Sequence, residues 1–109
     1  MRTEAQVLEG HLDTLLLASL ADGPRHGYAV KEALRTSSGA RFDLPTGTIY
    51  PALRRLEAAG LVQGTWSQAG GRRRRTYELT PAGRQRLSRD RAAWRDFAAA
   101  VSAILEPAL

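Results

Sequence analysis

The groups best suited to chemistry lie in the middle of the chain. Thr46, Thr48, Tyr50, Arg54 and Arg55 fall within one short segment together with Pro51, and Gly70-Gly71 leads directly into Arg72, Arg73, Arg74 and Arg75. Hydroxyls and backbone N–H groups at a helix start donate to phosphate, and a guanidinium forks onto phosphate or onto the edge of guanine. Such groups recognise a polyanion; they do not break bonds. The residues needed for catalysis are missing. His11 and His26 stand apart, no cysteine is present, and neither histidine has a second ligand at useful spacing, so no metal, no catalytic pair and no cofactor are expected.

These groups need rigid elements to aim them. Ile49, Leu53 and Leu56 recur at i, i+4, i+7 and mark the buried stripe of a short helix. Gly47, Pro51, Arg54 and Ala58 fall on its opposite side, with Tyr50 at the edge. Such a thin outer face allows close approach to another surface. Thr46 is the expected N-cap, and Gly60 the left-handed stop. Leu61–Trp66 and Arg73–Leu79 read as two strands joined through Gly70-Gly71. Tyr77 and Leu79 share parity and should face inward, which turns Arg73 and Arg75 toward the same side. Arg72 and Arg74 are therefore the favoured wing contacts.

Two helices precede this unit. Leu12, Leu15, Leu16 and Leu20 mark the first, ended by Asp22-Gly23-Pro24. The second opens at Arg25-His26-Gly27-Tyr28 and runs to about Thr36, with Tyr28 or Ala29, Val30 and Leu34 toward the core and His26 bracing it. Thr80-Pro81 starts a long last helix. The expected fold is mainly α with a small β-hairpin: a winged helix-turn-helix over residues 1–80, followed by a C-terminal dimerisation helix over residues 81–109. A helix beside an arginine-tipped hairpin suits double-stranded DNA, with the helix in the major groove and the hairpin over the backbone.

In the last helix Leu87, Trp94 and Val101 are seven residues apart, with Phe97, Ile104 and Leu105 at the complementary positions. This seam suits pairing of two copies, the alternative being a helix folded back on its own domain. Bulk properties agree with a folded nucleic-acid binder. The 109 residues carry a net charge of +5, and Lys31 is the only lysine among sixteen basic residues. Arginine bias also follows from a high-GC genome, so placement counts for more than total charge. No signal-type or membrane-spanning apolar run occurs, and a cytoplasmic location is expected.

Several motifs in order resemble the PadR family of bacterial transcriptional regulators. They are Arg25-His26-Gly27-Tyr28, the run Pro45–Glu57, Gly60-Leu61-Val62, Gly70-Gly71-Arg72 and Tyr77–Gly83. The resemblance runs from about Leu8 to the end and is to the short subfamily with a single C-terminal helix. It implies a homodimer that binds a pseudo-palindromic operator and usually represses. With the wheel position, it implies a phosphate contact for Tyr50. Thr46 and Thr48 cap the helix, touch phosphate, or do both. Arg54 reaches a guanine edge, a phosphate or solvent, whereas Arg55 suits a backbone or intraprotein contact. Gly71 lets the hairpin tip approach DNA with Arg72 and Arg74.

Trp94 has two readings. It packs in the dimer seam, or two copies face each other across the two-fold axis and form a flat slot. The resemblance makes the slot a site for a planar aromatic small molecule, with Phe97, Ala98, His11 and Thr14 as neighbours. The competing function is a winged-helix protein-interaction module without DNA binding, which the outward arginines disfavour. An RNA-binding role lacks the aromatic stacking platform such modules use.

Overall fold

The computed structural model describes residues 1–107, so the last two residues of the expected C-terminal segment lie outside the described residues. The elements in chain order are α1 (Glu4–Glu9), α2 (Leu12–Ser19), β1 (Arg25–His26), α3 (Gly27–Ser37), α4 (Thr46–Ala58), β2 (Val62–Ala69), β3 (Arg72–Leu79) and α5 (Pro81–Leu105). The architecture is mainly helical, with a small three-stranded antiparallel sheet and a long last helix.

Two elements were not foreseen. α1 is a single short helix closed by a capping box between Thr3 and Gln6, and it carries one buried residue, Leu8. Arg25 and His26 do not open the second helix. They form β1, which pairs with Thr76 and Tyr77 of β3 and widens the hairpin to a sheet of order β1-β3-β2. Backbone pairing across fifty residues overrides a local helical pattern here. His26 still braces α3: its extended backbone makes it the N-cap, and its Nδ1 accepts from Ala29 N–H at 3.2 Å. Tyr28 is half-exposed rather than core, while Val30 and Leu34 are buried.

The core joins Leu16, Leu17 and Leu20 from the α2 region to Val30 of α3, the α4 stripe, and Val62, Tyr77 and Leu79 of the sheet. On α4 the buried residues are Ile49, Ala52, Leu53 and Leu56, so the expected stripe is present and Ala52 joins it. Gly60, at φ 77°, ends this helix in a Schellman arrangement, with Leu61 N–H on the Leu56 carbonyl and Gly60 N–H on that of Glu57. The start of α4 differs from expectation. Pro45 is the N-cap, its carbonyl accepting from Thr48 and Ile49, and Thr46 is the first helical residue with no side-chain cap bond. Proline's fixed φ suits the entry to a helix, but it offers no side-chain acceptor, so the first N–H groups of α4 carry no side-chain cap. Pro51 consequently sits in the second turn, where its missing N–H leaves the Gly47 carbonyl without its usual helical donor.

The strands run to the hairpin tip, longer than the pattern implied, and Gly70 and Gly71 turn with φ of 60° and 77°. Positive φ at both loop positions is the type I′ geometry that suits the twist of a two-residue hairpin. Thr80 caps α5 by accepting from Gly83 N–H at 3.0 Å and ties it back through a bond to the Gly60 carbonyl. Gly83 lies so close to Leu61 that an added Cβ would stand 1.9 Å from its carbonyl oxygen. Further along α5, the Thr14 hydroxyl donates to Asp90 at 2.8 Å. Beyond that point the helix projects, giving extents of 59 × 28 × 22 Å.

Candidate nucleic-acid interface

α4 and the hairpin border one open cleft of about 880 Å³, into which α3 also contributes its first turn. On the α4 side it is lined by Tyr50, Arg54 and Glu57. On the hairpin side stand Trp66, the four arginines and Tyr77. Thr46, Gly47, Thr48, Pro51, Arg55 and Ala58 are exposed on the rest of the outer surface of α4. The structure thus brings Tyr50 and Arg54 to one cleft with Arg73 and Arg75, whereas Arg72 and Arg74 border it from the other face of the hairpin, and Thr46, Thr48, Pro51 and Arg55 lie on its helical margin. Arg55 has no ion-pair partner among the described residues, so an intraprotein role for its charge finds no support.

Tyr50 is held by a close approach that its own segment does not announce. A Cβ at Gly27 would sit 2.6 Å from its ring, so the phenol lies close against the first turn of α3. Only glycine at position 27 leaves that space. The residue is 37% exposed, so part of it stays open to a partner.

The wing arginines divide by register. Arg75 stands opposite Trp66 and Arg73 opposite Gln68, on the face shared with Tyr77 and turned toward α4. Arg72 and Arg74 share the other face with Thr76 and Glu78. The expected parity holds, but the Tyr77 side does not remain interior toward the tip. Tyr77 is buried, whereas Arg73 is exposed in the cleft, because the hairpin extends past the core that covers its base. Arg73 is therefore a candidate contact that parity alone set aside. Both Arg73 and Arg75 lie over the Trp66 ring, at 4.5 and 5.2 Å from its centre. Arg75 also pairs with Glu57. Burial pushes the Tyr77 phenol above its ordinary pKa while Arg75 opposes the shift.

A second surface lies along α5. Trp94, Phe97, Ile104 and Leu105 are 53–80% exposed, and Val101 and Ala98 are half-buried beside them. Leu87 is not part of this surface. At 3% exposure it packs in the protomer's own core against the sheet and α2, so it has no side-chain area left for a partner. His11 meets Trp94 edge-on at 5.4 Å between centroids, and Phe97 lies 6.2 Å away. Thr14 is nearby, but its hydroxyl is committed to Asp90. Burial disfavours the Asp90 carboxylate, yet the Thr14 hydroxyl and Arg86 together hold its pKa below the usual value. Among the described residues no group of side chains could hold a metal ion, and no helix is long and apolar enough to cross a membrane.

Comparison with known proteins agrees with this geometry. The family described as transcriptional regulator PadR-like matches residues 16–89. An uncharacterised 37.1 kDa protein from a Streptomyces fradiae transposon is 47% identical over 76 residues; the match covers 70% of this chain and 21% of that protein, so the chain spans about a fifth of its length. A transcriptional regulator of Mycobacterium tuberculosis is 40% identical over 83 residues, covering 76% of this chain and 75% of that one. The crystal structure of a PadR family transcriptional regulator from Eggerthella lenta is similar with a TM-score of 0.79 and 32% identity, over 95% of this chain and 92% of that one. Bacillus subtilis PadR, solved in complex with operator DNA, is similar with a TM-score of 0.65 and 26% identity, over 71% of this chain and 44% of that one. The chain belongs to the PadR-like family of transcriptional regulators.

Proposed function

We propose that the protein is a sequence-specific, homodimeric DNA-binding repressor acting on a pseudo-palindromic operator. One observation carries the reading: Tyr50 and Arg54 of α4 border a single cleft with the arginines of the hairpin, and the thin outer face of α4 lies exposed beside it. The α4 face enters a major groove, with Arg54 at a base edge and Tyr50, Thr46, Thr48 and Pro51 toward the flanking phosphates. Arg55 sits at the margin of this contact. Gly71 lets the tip come close to the backbone, where Arg72, Arg74 and the newly recognised Arg73 meet it. The operator complex of the Bacillus subtilis relative supports DNA as the partner. A protein-interaction module would not need this concentration of unpaired guanidinium.

An electrophoretic shift with upstream DNA, repeated over a range of salt, tests the reading. Three to four neutralised phosphates per protomer correspond to a log–log salt slope of about −5 to −7 for the dimer. A slope near −1 would rule out docking of two protomers. Arg54→Ala should relax one base position by about 1–3 kcal/mol.

Dimerisation through the outer half of α5 is the second part of the proposal, with Phe97, Val101, Ile104 and Leu105 in the seam. Two Trp94 rings facing across the axis make a slot for a planar hydrophobic compound, flanked by Phe97, Ala98 and His11, and such a compound would release the operator. The half-exposed Trp94 ring and its edge-on His11 neighbour support this arrangement. A planar aromatic dye should quench Trp94 fluorescence at micromolar concentration, about −8 kcal/mol of binding. Trp94→Ala should abolish the quenching and leave the fold intact. Equal dye affinity with and without operator would mean that binding does not regulate.

A further inference from the structure

We infer that Glu57, Arg75 and Trp66 form a strut that sets the wing against the recognition helix, so that Arg75 is a positioning residue for sequence discrimination rather than a phosphate ligand. The inference rests on the DNA-binding reading above and concerns how the two contact elements keep their relative position.

Four consecutive arginines look interchangeable in sequence, and the structure separates them. Arg75 alone of the four has a carboxylate partner, Glu57 in the last turn of α4. The same Glu57 oxygen accepts from Gly64 N–H at 3.2 Å, so one carboxylate holds both strands of the hairpin, Gly64 in β2 and Arg75 in β3. Gly64 is required by this arrangement. A Cβ there would stand 2.7 Å from Arg75 Nε and 2.8 Å from Glu57 Oε2 and would wedge the pair apart. The Trp66 ring then supports the guanidinium of Arg75 and, next to it, that of Arg73. The stack keeps two like charges side by side and leaves Arg73 exposed in the cleft.

Charge argues that the pair serves geometry. Glu57 places a carboxylate on the wall of a cleft meant for a polyanion, and it cancels one of four wing charges. Affinity alone would favour its loss. Stability gives little reason to keep it, because both side chains are about a quarter exposed, at 27% and 28%, and such pairs contribute weakly. Fixing the angle between α4 and the wing remains as its contribution. Discrimination between sequences needs that angle, whereas attraction to phosphate does not.

The test is Glu57→Gln in the full chain. The wild-type protein is first used to select an operator duplex, and binding to it is compared with binding to a scrambled duplex of equal length. Releasing Arg75 should tighten scrambled-duplex binding and steepen its salt slope by about one per protomer. Operator preference should fall at least ~10-fold, the scale of one misread base pair. In Glu57→Gln with Arg75→Gln, no cation is released, so the tightening and the extra slope should vanish while the preference stays low. A uniform loss of affinity for both duplexes, with slope and preference unchanged, would overturn the strut and leave a structural ion pair. So would scrambled-duplex tightening that persists in the double variant. A DNA-free measurement separates failure of this inference from failure of the DNA reading. In wild type the Gly64 amide should exchange slowly and the Arg75 Nη2–H protons should be visible by NMR; both signatures should weaken in Glu57→Gln, whose amide oxygen is the poorer acceptor, and be lost in Glu57→Ala. Unchanged signals would overturn the strut directly; loss of both signals in a protein that selects no duplex would instead overturn the DNA reading and, with it, the assignment to discrimination.

Discussion

At Ala40 the backbone adopts φ 67°, directly after Gly39 at 63°. The left-handed region crowds a Cβ against the following carbonyl and costs an L-residue about 1–2 kcal/mol. The Ala40 N–H donates to the Arg35 carbonyl at 2.8 Å, so the conformation is held by the end of α3. Ala40→Gly should therefore raise stability by about 0.5–1 kcal/mol, after the greater unfolded-state freedom of glycine is subtracted. Thermal unfolding should show a midpoint several degrees higher; a lower midpoint would mean that the strain is not there. At this scale the sequence was informative where a residue answers to its own neighbours. Gly60, Gly70, Gly71 and the Thr80-Pro81 start could be read directly, because each meets a local backbone need. Gly27, Gly64 and Gly83 could not. Each makes room for a group distant in the chain, namely the Tyr50 ring, the Glu57–Arg75 pair and the Leu61 carbonyl.

The same division holds for whole elements. The α4 stripe of Ile49, Leu53 and Leu56 and the inward parity of Tyr77 and Leu79 follow from period alone. β1 was missed because two residues have no period, and its only signal is pairing with β3. The division of the cleft was half legible. Parity separated Arg73 and Arg75 from Arg72 and Arg74, but the point at which the core stops covering the hairpin depends on packing. The anchoring of α5 offers a matched test with two helical glycines. Gly83→Ala forces a Cβ onto the Leu61 backbone and should destabilise by about 3 kcal/mol or more. Gly47→Ala meets no atom within 4 Å and should be stabilising by about 0.5–1 kcal/mol. Urea midpoints read both. Similar changes of one sign would mean that α5 does not dock against Leu61 as described.

For the whole molecule, the test of assembly is Val101→Glu with Leu105→Glu. Leu105 is 73% exposed in a single protomer and Val101 is partly covered, so neither change should unfold the winged module. Sedimentation should show monomers, and operator affinity should be lost. A double variant that stays dimeric would move the interface to another surface. Under the pairing proposed above, the projecting end of α5 has a consequence for dosage. From Trp94 to Leu105 the helix has little protein beneath it, and an isolated helix of about twelve residues is marginal in water. Ordering of that end and meeting a second copy would then be one event, governed by mass action. Below the dissociation constant, twofold more protomer gives about fourfold more dimer. A cell would meet a response to gene dosage that is steeper than proportional.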